Sequence, residues 1–196
     1  ELFTLRAGDI VVESVDYRLL VTLKNNRVIP ITAHRIEDYY NSGALSPDVW
    51  TWALDNDPQI AEVGVGLAEF LPEYAKFAYS HGLKRPIAID PLDFRALEQL
   101  LLEASCRKLS SDTKSYIRQS FDRIEILLNP NLVDLVHISI EKLPYFRPDL
   151  HHTADLVIDC VGGLLYSDSL SEALHVEQKW LLRTDSRARV THSYAR

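Results

Sequence analysis

The first 34 residues alternate apolar and polar positions in short extended runs. The spacing of two is that of half-buried β-strands. Three runs are involved: Ile10, Val12 and Ser14, then Leu19, Val21 and Leu23, then Val28, Pro30 and Thr32. Lys24-Asn25-Asn26-Arg27 separates the last two runs, and Asn tolerates the left-handed backbone that tight hairpins need. The pattern predicts an antiparallel β-meander over residues 1–34.

From residue 35 to residue 143 the apolar spacing becomes mainly helical. Ser46-Pro47, Asp57-Pro58 and Asp90-Pro91 each place a capping oxygen before a proline, which is typical of a helix start. After Asp57 the apolar residues fall on one helical stripe, with an expected kink at Pro72. That stripe consists of Ile60, Val63, Leu67, Phe70, Tyr74 and Phe77. The segment predicts a central helical layer.

Two further helices present matching apolar stripes, and together they form the predicted core. The helix after Asp90 and the helix capped by Ser111 or Asp112 each bury one face. Their core residues are Phe94, Leu97, Leu101, Ile117, Phe121 and Ile124. Asn129-Pro130 is expected to end the second helix, while residues 132–143 fit either helix or strand.

Residues 149–196 form a mixed C-terminal region. Thr153 to Cys160 alternate as a strand, which Gly162-Gly163 ends or distorts into a bulge. Residues 169–183 fit two patterns: a capping box at Ser169–Glu172 favours a helix, while the alternation of Leu174, Val176, Trp180 and Leu182 favours a strand. We expect a single α+β domain: an N-terminal antiparallel β-meander, a central helical layer and a C-terminal strand region.

The composition is that of a folded domain without a membrane helix. The chain has 196 residues, 46% of them hydrophobic and 25% charged, as in ordinary folded domains. No apolar run approaches the roughly 18 residues of a membrane helix, so no membrane partner is expected. Cys106 and Cys160 fit buried free thiols better than a disulfide, which favours a reducing, cytoplasmic compartment.

The net charge of −7 is unevenly distributed. Residues 35–79 contain eight acids and two bases, while residues 181–196 contain four arginines and one acid, Asp185. Broad phosphate binding depends on many Lys and Arg contacts, so this balance disfavours a non-catalytic nucleic-acid binder. The basic end could instead dock on an acidic partner or on a second copy of the chain.

One group of residues has the composition of a metal site. On a strand, His151, Asp155 and Asp159 share one face, and their oxygen and imidazole ligands suit Mg²⁺ or Mn²⁺. Asp155 followed by Glu177-Gln178-Lys179 resembles the core of the PD-(D/E)xK nuclease superfamily. The resemblance covers about residues 149–183. It implies metal ligation by Asp155 and Glu177, charge stabilisation by Lys179, and DNA or RNA as the substrate.

Aromatic side chains suggest a different function. Trp50 and Trp52 cannot share one helix face, so one is expected to be exposed as a partner anchor. Tyr39 and Tyr40, followed by Asn41-Ser42-Gly43, raise the same possibility. The leading hypothesis is an intracellular interaction or regulatory domain that needs no cofactor and binds a protein partner or another copy of itself. The metal-dependent nuclease is the alternative, and whether the chain is an enzyme stays open.

Overall fold

The computed structural model describes residues 4–7, 10–15, 18–22, 28–31, 33–160, 167–185 and 187–192, with backbone alone for the first four ranges and for His192. The N-terminal strands are β1 (Thr4–Ala7), β2 (Ile10–Val15), β3 (Arg18–Thr22) and β4 (Val28–Ile31). They pair antiparallel in chain order. The segments predicted as turns at 24–27 and 162–163 lie outside the described residues.

The centre of the fold is a parallel sheet. Its strands are β5 (Ile60–Val63), β6 (Ile87–Ile89), β7 (Asp134–Val136), β8 (Leu156–Asp159) and β9 (Arg189–His192). Within the described residues the spatial order is β7-β6-β5-β8-β9, and every neighbouring pair is parallel. The first of these strands in the chain therefore lies in the middle of the sheet.

Helices cover both faces of this sheet. They are α1 (Ile36–Asn41), α2 (Val49–Asn56), α3 (Phe70–Ser80), α4 (Phe94–Ser105), α5 (Ser111–Leu128), α6 (Leu143–Phe146) and α7 (Leu170–His175). A π-helix (Val176–Leu181) continues α7. One face, including Ile60 and Ala88, packs on α1 to α5, while the other, including Ala61 and Ile87, packs on α6, α7 and the π-helix.

The predicted α+β fold class is therefore wrong. The protein is an α/β structure in which strands alternate with helices around an all-parallel sheet. The region predicted as a helical layer contributes β5, β6 and β7, and the C-terminal strand β8 joins those strands rather than the N-terminal sheet. The physical reason is that strands buried on both faces read as short continuous apolar runs, which spacing alone does not distinguish from helix.

The predicted helix after Asp57 shows this error directly. Residues 60–63 form β5, and α3 begins only at Phe70, with Pro72 in its first turn where a missing N–H is tolerated. Asp57 follows the end of α2 in a left-handed conformation with φ of 43°. Asp-Pro here marks a loop after a helix, since Asp is one of the residues that tolerates this conformation.

Other helix starts lie close to their predicted positions. Asp93, not Asp90, caps α4: its carboxylate accepts hydrogen bonds from Arg95 N and Ala96 N. The Ser110 hydroxyl caps α5 by accepting from Thr113 N, one residue before the predicted cap. The end of α5 at Asn129 agrees with the prediction. The ambiguous segment 132–143 divides into β7, a 3₁₀ turn at Ile140–Lys142 and the start of α6.

The predicted core residues do pack together. Phe94, Leu97, Leu101, Ile117 and Ile124 are buried in one cluster between α4, α5 and the sheet, and Phe121 packs against it from a half-buried position. Both cysteines are unpaired, as predicted, but only Cys160 is buried. Within the described ranges, no helix has the length and hydropathy needed to cross a bilayer.

Truncating Phe94 to Ala should destabilise the fold strongly, because this side chain is only 2% exposed and lies in the core cluster formed by α4, α5 and the sheet. We expect a loss of about 3–5 kcal/mol in the free energy of unfolding, measured by urea denaturation. Phe121→Ala is the matched comparison, and its partial burial predicts a smaller loss. Equal losses for the two variants would contradict this assignment of the core.

Candidate functional site

The strand order places a crevice at one edge of the parallel sheet. The chain leaves β5 toward β6 on one side, and later returns to the other side of β5 as β8. Connections from the carboxyl ends of β5 and β8 therefore diverge. In open α/β sheets, ligands bind in the crevice at such a reversal, outside the carboxyl ends of the strands.

A glycine turn follows β5 at this crevice. Gly64 and Gly66 have φ of 67° and 51°, a left-handed region that favours glycine. The Asp90 carboxylate at the end of β6 accepts hydrogen bonds from Gly66 N and from Leu92 N, both at 2.8 Å. Asp90 is thus a strand-end carboxylate that fastens the turn after β5 to the neighbouring strand. Its burial raises its pKa above the usual range, against the lowering effect of these two N–H donors.

Glu62 lies inside β5, where a charged residue is unexpected. Its side chain is 1% exposed, and Tyr39 of α1 donates a hydrogen bond from its hydroxyl to Glu62 Oε1 at 2.5 Å. Among the described residues, Oε2 has no hydrogen-bond partner. Burial raises the pKa of Glu62 to about 8, and the charges of Asp159 and Asp90 add to that rise. A carboxyl group with this pKa is largely protonated at neutral pH.

A second acidic pair lies beside β8, on the opposite face of the sheet. Asp159 ends β8, and Glu177, in the π-helix, is wholly buried next to it. Burial, together with the hydrogen bond and the charge of Asp159, raises the pKa of Glu177 to about 10. π-Helical turns are rare and occur often at functional sites. The carboxyl edge between β5 and β8 thus carries acids on both faces.

Arg123 of α5 and His137, which acts electrostatically on Asp90, bring basic side chains near this edge. Arg123 of α5 donates from Nη1 to Leu67 O at 2.6 Å, beyond the glycine turn. The residue before α3 is Glu69, whose carboxylate accepts from Ile36 N at 2.9 Å, so an acid already stands at that helix N-terminus. Phosphate binding needs N–H donors and positive charge at such a position. The arrangement suits a cationic ligand better than an anionic one.

The residues predicted as a metal site are divided between two ends of β8. Asp155 stands just before β8, where it accepts from Gln59 N at 2.7 Å and pairs with Arg183 at 3.2 Å. Asp159 lies four residues further along, about 13 Å for an extended chain. His151 packs against the rings of His152 and Trp180 in tilted arrangements, and Lys179 is exposed on the π-helix. Of this set, only Asp159 and Glu177 come together.

The nuclease arrangement also requires Glu177 and Lys179 on a strand beside β8. They lie instead on the π-helix, and the neighbours of β8 are β5 and β9. Within the described ranges, no group of three His, Cys, Asp or Glu side chains could hold a metal ion. The structure does not form the site that the PD-(D/E)xK resemblance implies.

Of the predicted partner anchors, Tyr39 is buried, and Tyr40 and Trp50 are half-buried. Tyr39 is buried against Glu62, and Trp50 packs on Phe70, Tyr74 and Phe77 while donating from Nε1 to the Tyr40 hydroxyl at 2.7 Å. Trp52 is half-buried, with the Arg189 guanidinium 5.9 Å from its ring centre. These aromatic residues fix α1 and α2 onto the sheet. Partner binding itself stays a prediction.

Comparison with known proteins supplies no relative: no family model, no curated sequence and no solved structure matches this chain. The site therefore rests on its own geometry.

Sequence reasoning missed Glu62 and Asp90 as site residues. The sequence does carry a signal for them. Glu62-Val63-Gly64-Val65-Gly66 combines an acid with two glycines, and a second acid, Asp90, follows 24 residues beyond Gly66. That signal depends on recognising β5 as a strand, because a glycine pair inside a helix indicates only close packing.

Replacing Glu62 by Gln should flatten the pH dependence of stability. The unfolded state releases the Glu62 proton near the ordinary value of 4.5, while the folded state retains it until about pH 8. The free energy of unfolding should therefore fall between about pH 5 and pH 8, by on the order of 3–5 kcal/mol for this group. Urea denaturation of wild type and E62Q across that range measures the difference.

The amide introduced by E62Q retains an oxygen that accepts from the Tyr39 hydroxyl, so the variant removes the titration and keeps the hydrogen bond. Glu125→Gln on the exposed side of α5 is the matched control, and it should follow wild type. Identical pH profiles for wild type and E62Q would contradict the protonated, buried state of Glu62. A residual slope in E62Q is expected from Glu177.

Proposed function

We propose that this protein binds a cationic nucleoside cofactor of the S-adenosylmethionine class at the carboxyl edge between β5 and β8, and that it is a methyltransferase. The observation that carries the proposal is the crevice itself: a strand-order reversal, a glycine turn after the first parallel strand and a carboxylate after the next. This combination is typical of sites for nucleosides and nucleotides in doubly wound sheets.

The adenosine part of the cofactor requires a carboxylate that can face ribose hydroxyls. In nucleotide sites of this topology, an acid about 20 residues beyond the glycine turn takes that role. Asp90 has this position, at the end of the strand next to β5. Its carboxylate is held in place by Gly66 N and Leu92 N, and each oxygen retains a second lone pair for a ribose hydroxyl.

The negative charge of the site favours a sulfonium nucleoside over a dinucleotide. A dinucleotide brings a pyrophosphate, for which α3 offers Glu69 at its N-terminus. A sulfonium ion instead gains from nearby carboxylates, and Glu62, Asp90, Asp159 and Glu177 are gathered at this edge. A cation beside these groups favours their ionised forms and repays part of the desolvation that now keeps Glu62 and Glu177 protonated.

A bound sulfonium cofactor would supply an electrophilic methyl group for transfer to a nucleophile. The residues described here would bind and orient the cofactor. Asp90 would hold the ribose, the Gly64–Gly66 turn would let the backbone approach closely, and Glu62 with Glu177 would adjust the charge by releasing protons. Acceptor choice belongs to surfaces outside this cluster.

Calorimetry tests the proposal directly. S-adenosylmethionine and its sulfide product should bind, and at 100 times the dissociation constant they should raise the melting temperature by about 5–10 °C. NAD and ATP at the same concentration should give no comparable shift. Stabilisation by NAD or ATP alone would replace the proposal with a phosphate-binding nucleotide site, and no shift with any of the four compounds would refute a nucleoside site.

Proton release on cofactor binding provides a second test of the proposal. Because Glu62 has a pKa of about 8, binding of the sulfonium at pH 7 should expel protons, so the apparent binding enthalpy should differ between phosphate and Tris buffers. E62Q should reduce that difference, and Asp90→Asn should weaken binding at least tenfold. Glu125→Gln should do neither. Unchanged affinity in Asp90→Asn would contradict the ribose assignment.

A further inference from the structure

A groove separate from the buried acidic cluster lies between α6 and α7. Its volume is about 290 Å³, and its walls are formed by residues of the 3₁₀ turn, α6, α7 and the first π-helical residue: Glu141, Pro144, Tyr145, Ser171, Glu172, His175 and Val176. Glu141 and Glu172 contribute two carboxylates to this wall, and Tyr145 contributes an aromatic ring. As far as the described residues extend, neither Lys nor Arg contributes to the wall.

Glu141 is the unusual member of this groove. It is only 7% exposed, and its Oε1 accepts from Asp168 N at 3.3 Å. Among the described residues, its Oε2 is buried without a hydrogen-bond partner. A buried carboxylate oxygen left unsatisfied costs free energy that a cationic ligand would offset. The terminal torsion of a Glu side chain is broad, so the carboxylate can turn toward the groove.

The two helices that form the groove also carry exposed apolar side chains. Tyr145, Phe146 and Leu170 are 84%, 65% and 56% exposed, although large apolar side chains in contact with water are unfavourable. The face of the Tyr145 ring can attract a cation, and its edge and the neighbouring Pro144 can cover methylene groups. The groove therefore combines the carboxylates of Glu141 and Glu172 with the aromatic ring of Tyr145.

We propose that this groove binds an ammonium group carried on an alkyl chain, with Glu141 and Glu172 facing the charge and Tyr145 covering the chain. A free aliphatic amine and a lysine side chain share this chemistry. The proposal is independent of the cofactor assignment, because none of the residues of the groove belongs to the cluster around Glu62.

The test uses the ¹⁵N-labelled 196-residue chain titrated with n-butylammonium, followed by amide chemical shifts. Shift changes should concentrate at Tyr145, Glu172 and His175. The neutral analogue 1-butanol and the anion butyrate, which share the alkyl chain, should bind at least tenfold more weakly. Equal binding of 1-butanol would show a purely apolar groove and would overturn the proposal, as would shifts confined to other surfaces.

Variants of Glu141 and Glu172 test whether these carboxylates bind the ammonium group. Glu141→Gln, which retains an acceptor for Asp168 N, should weaken butylammonium binding at least fivefold, and Glu172→Gln provides a second test at an exposed position. Glu125→Gln on α5 should leave binding unchanged. Full affinity in both groove variants would overturn the proposal. A blocked Gly-Lys-Gly peptide distinguishes the sources: tighter binding than butylammonium supports a lysine side chain, and equal binding supports a small amine.

Discussion

Burial of acidic side chains around the central strand is the constraint on which the rest of this structure depends. Glu62 occupies a strand that is covered on both faces, and it stays protonated because burial penalises its charged form. The Tyr39 hydroxyl satisfies one of its oxygens, and that contact ties α1 to β5. The N-terminal end of the helical layer is thus positioned by a polar contact in the interior, and the aromatic cluster of α1, α2 and α3 packs around it.

The same buried acids also indicate where a functional site lies. A buried carboxyl group carries a desolvation cost that an apolar residue of similar size would avoid. Strongly perturbed titratable groups cluster at functional sites, because chemistry there needs pKa values matched to its task. Here they stand where the strand order reverses, beside a glycine turn fastened by Asp90. Charge, topology and backbone geometry therefore indicate one location, and each is a separate observation.

The two candidate sites also differ in how they are built. The crevice between β5 and β8 is formed by strand ends that the sheet holds rigidly, which suits a cofactor bound in a fixed orientation. The groove between α6 and α7 is formed by short helices with exposed aromatic side chains, which suits a ligand that exchanges with solvent. Val176 lines the groove while Glu177 faces Asp159, so adjacent residues of the π-helix belong to the two sites.

The sequence by itself determined the α4–α5 core and the end of α5, because long amphipathic helices with capping residues carry their own periodicity. It did not determine the parallel sheet. Strands of three or four residues buried on both faces have no alternation, so Ile60 and Val63 read as one helical stripe with Leu67. The candidate site was hidden for the same reason. Glu62, Asp90 and Glu177 are far apart in the chain, and only the strand order β7-β6-β5-β8-β9, set by tertiary packing, brings them to one edge of one sheet.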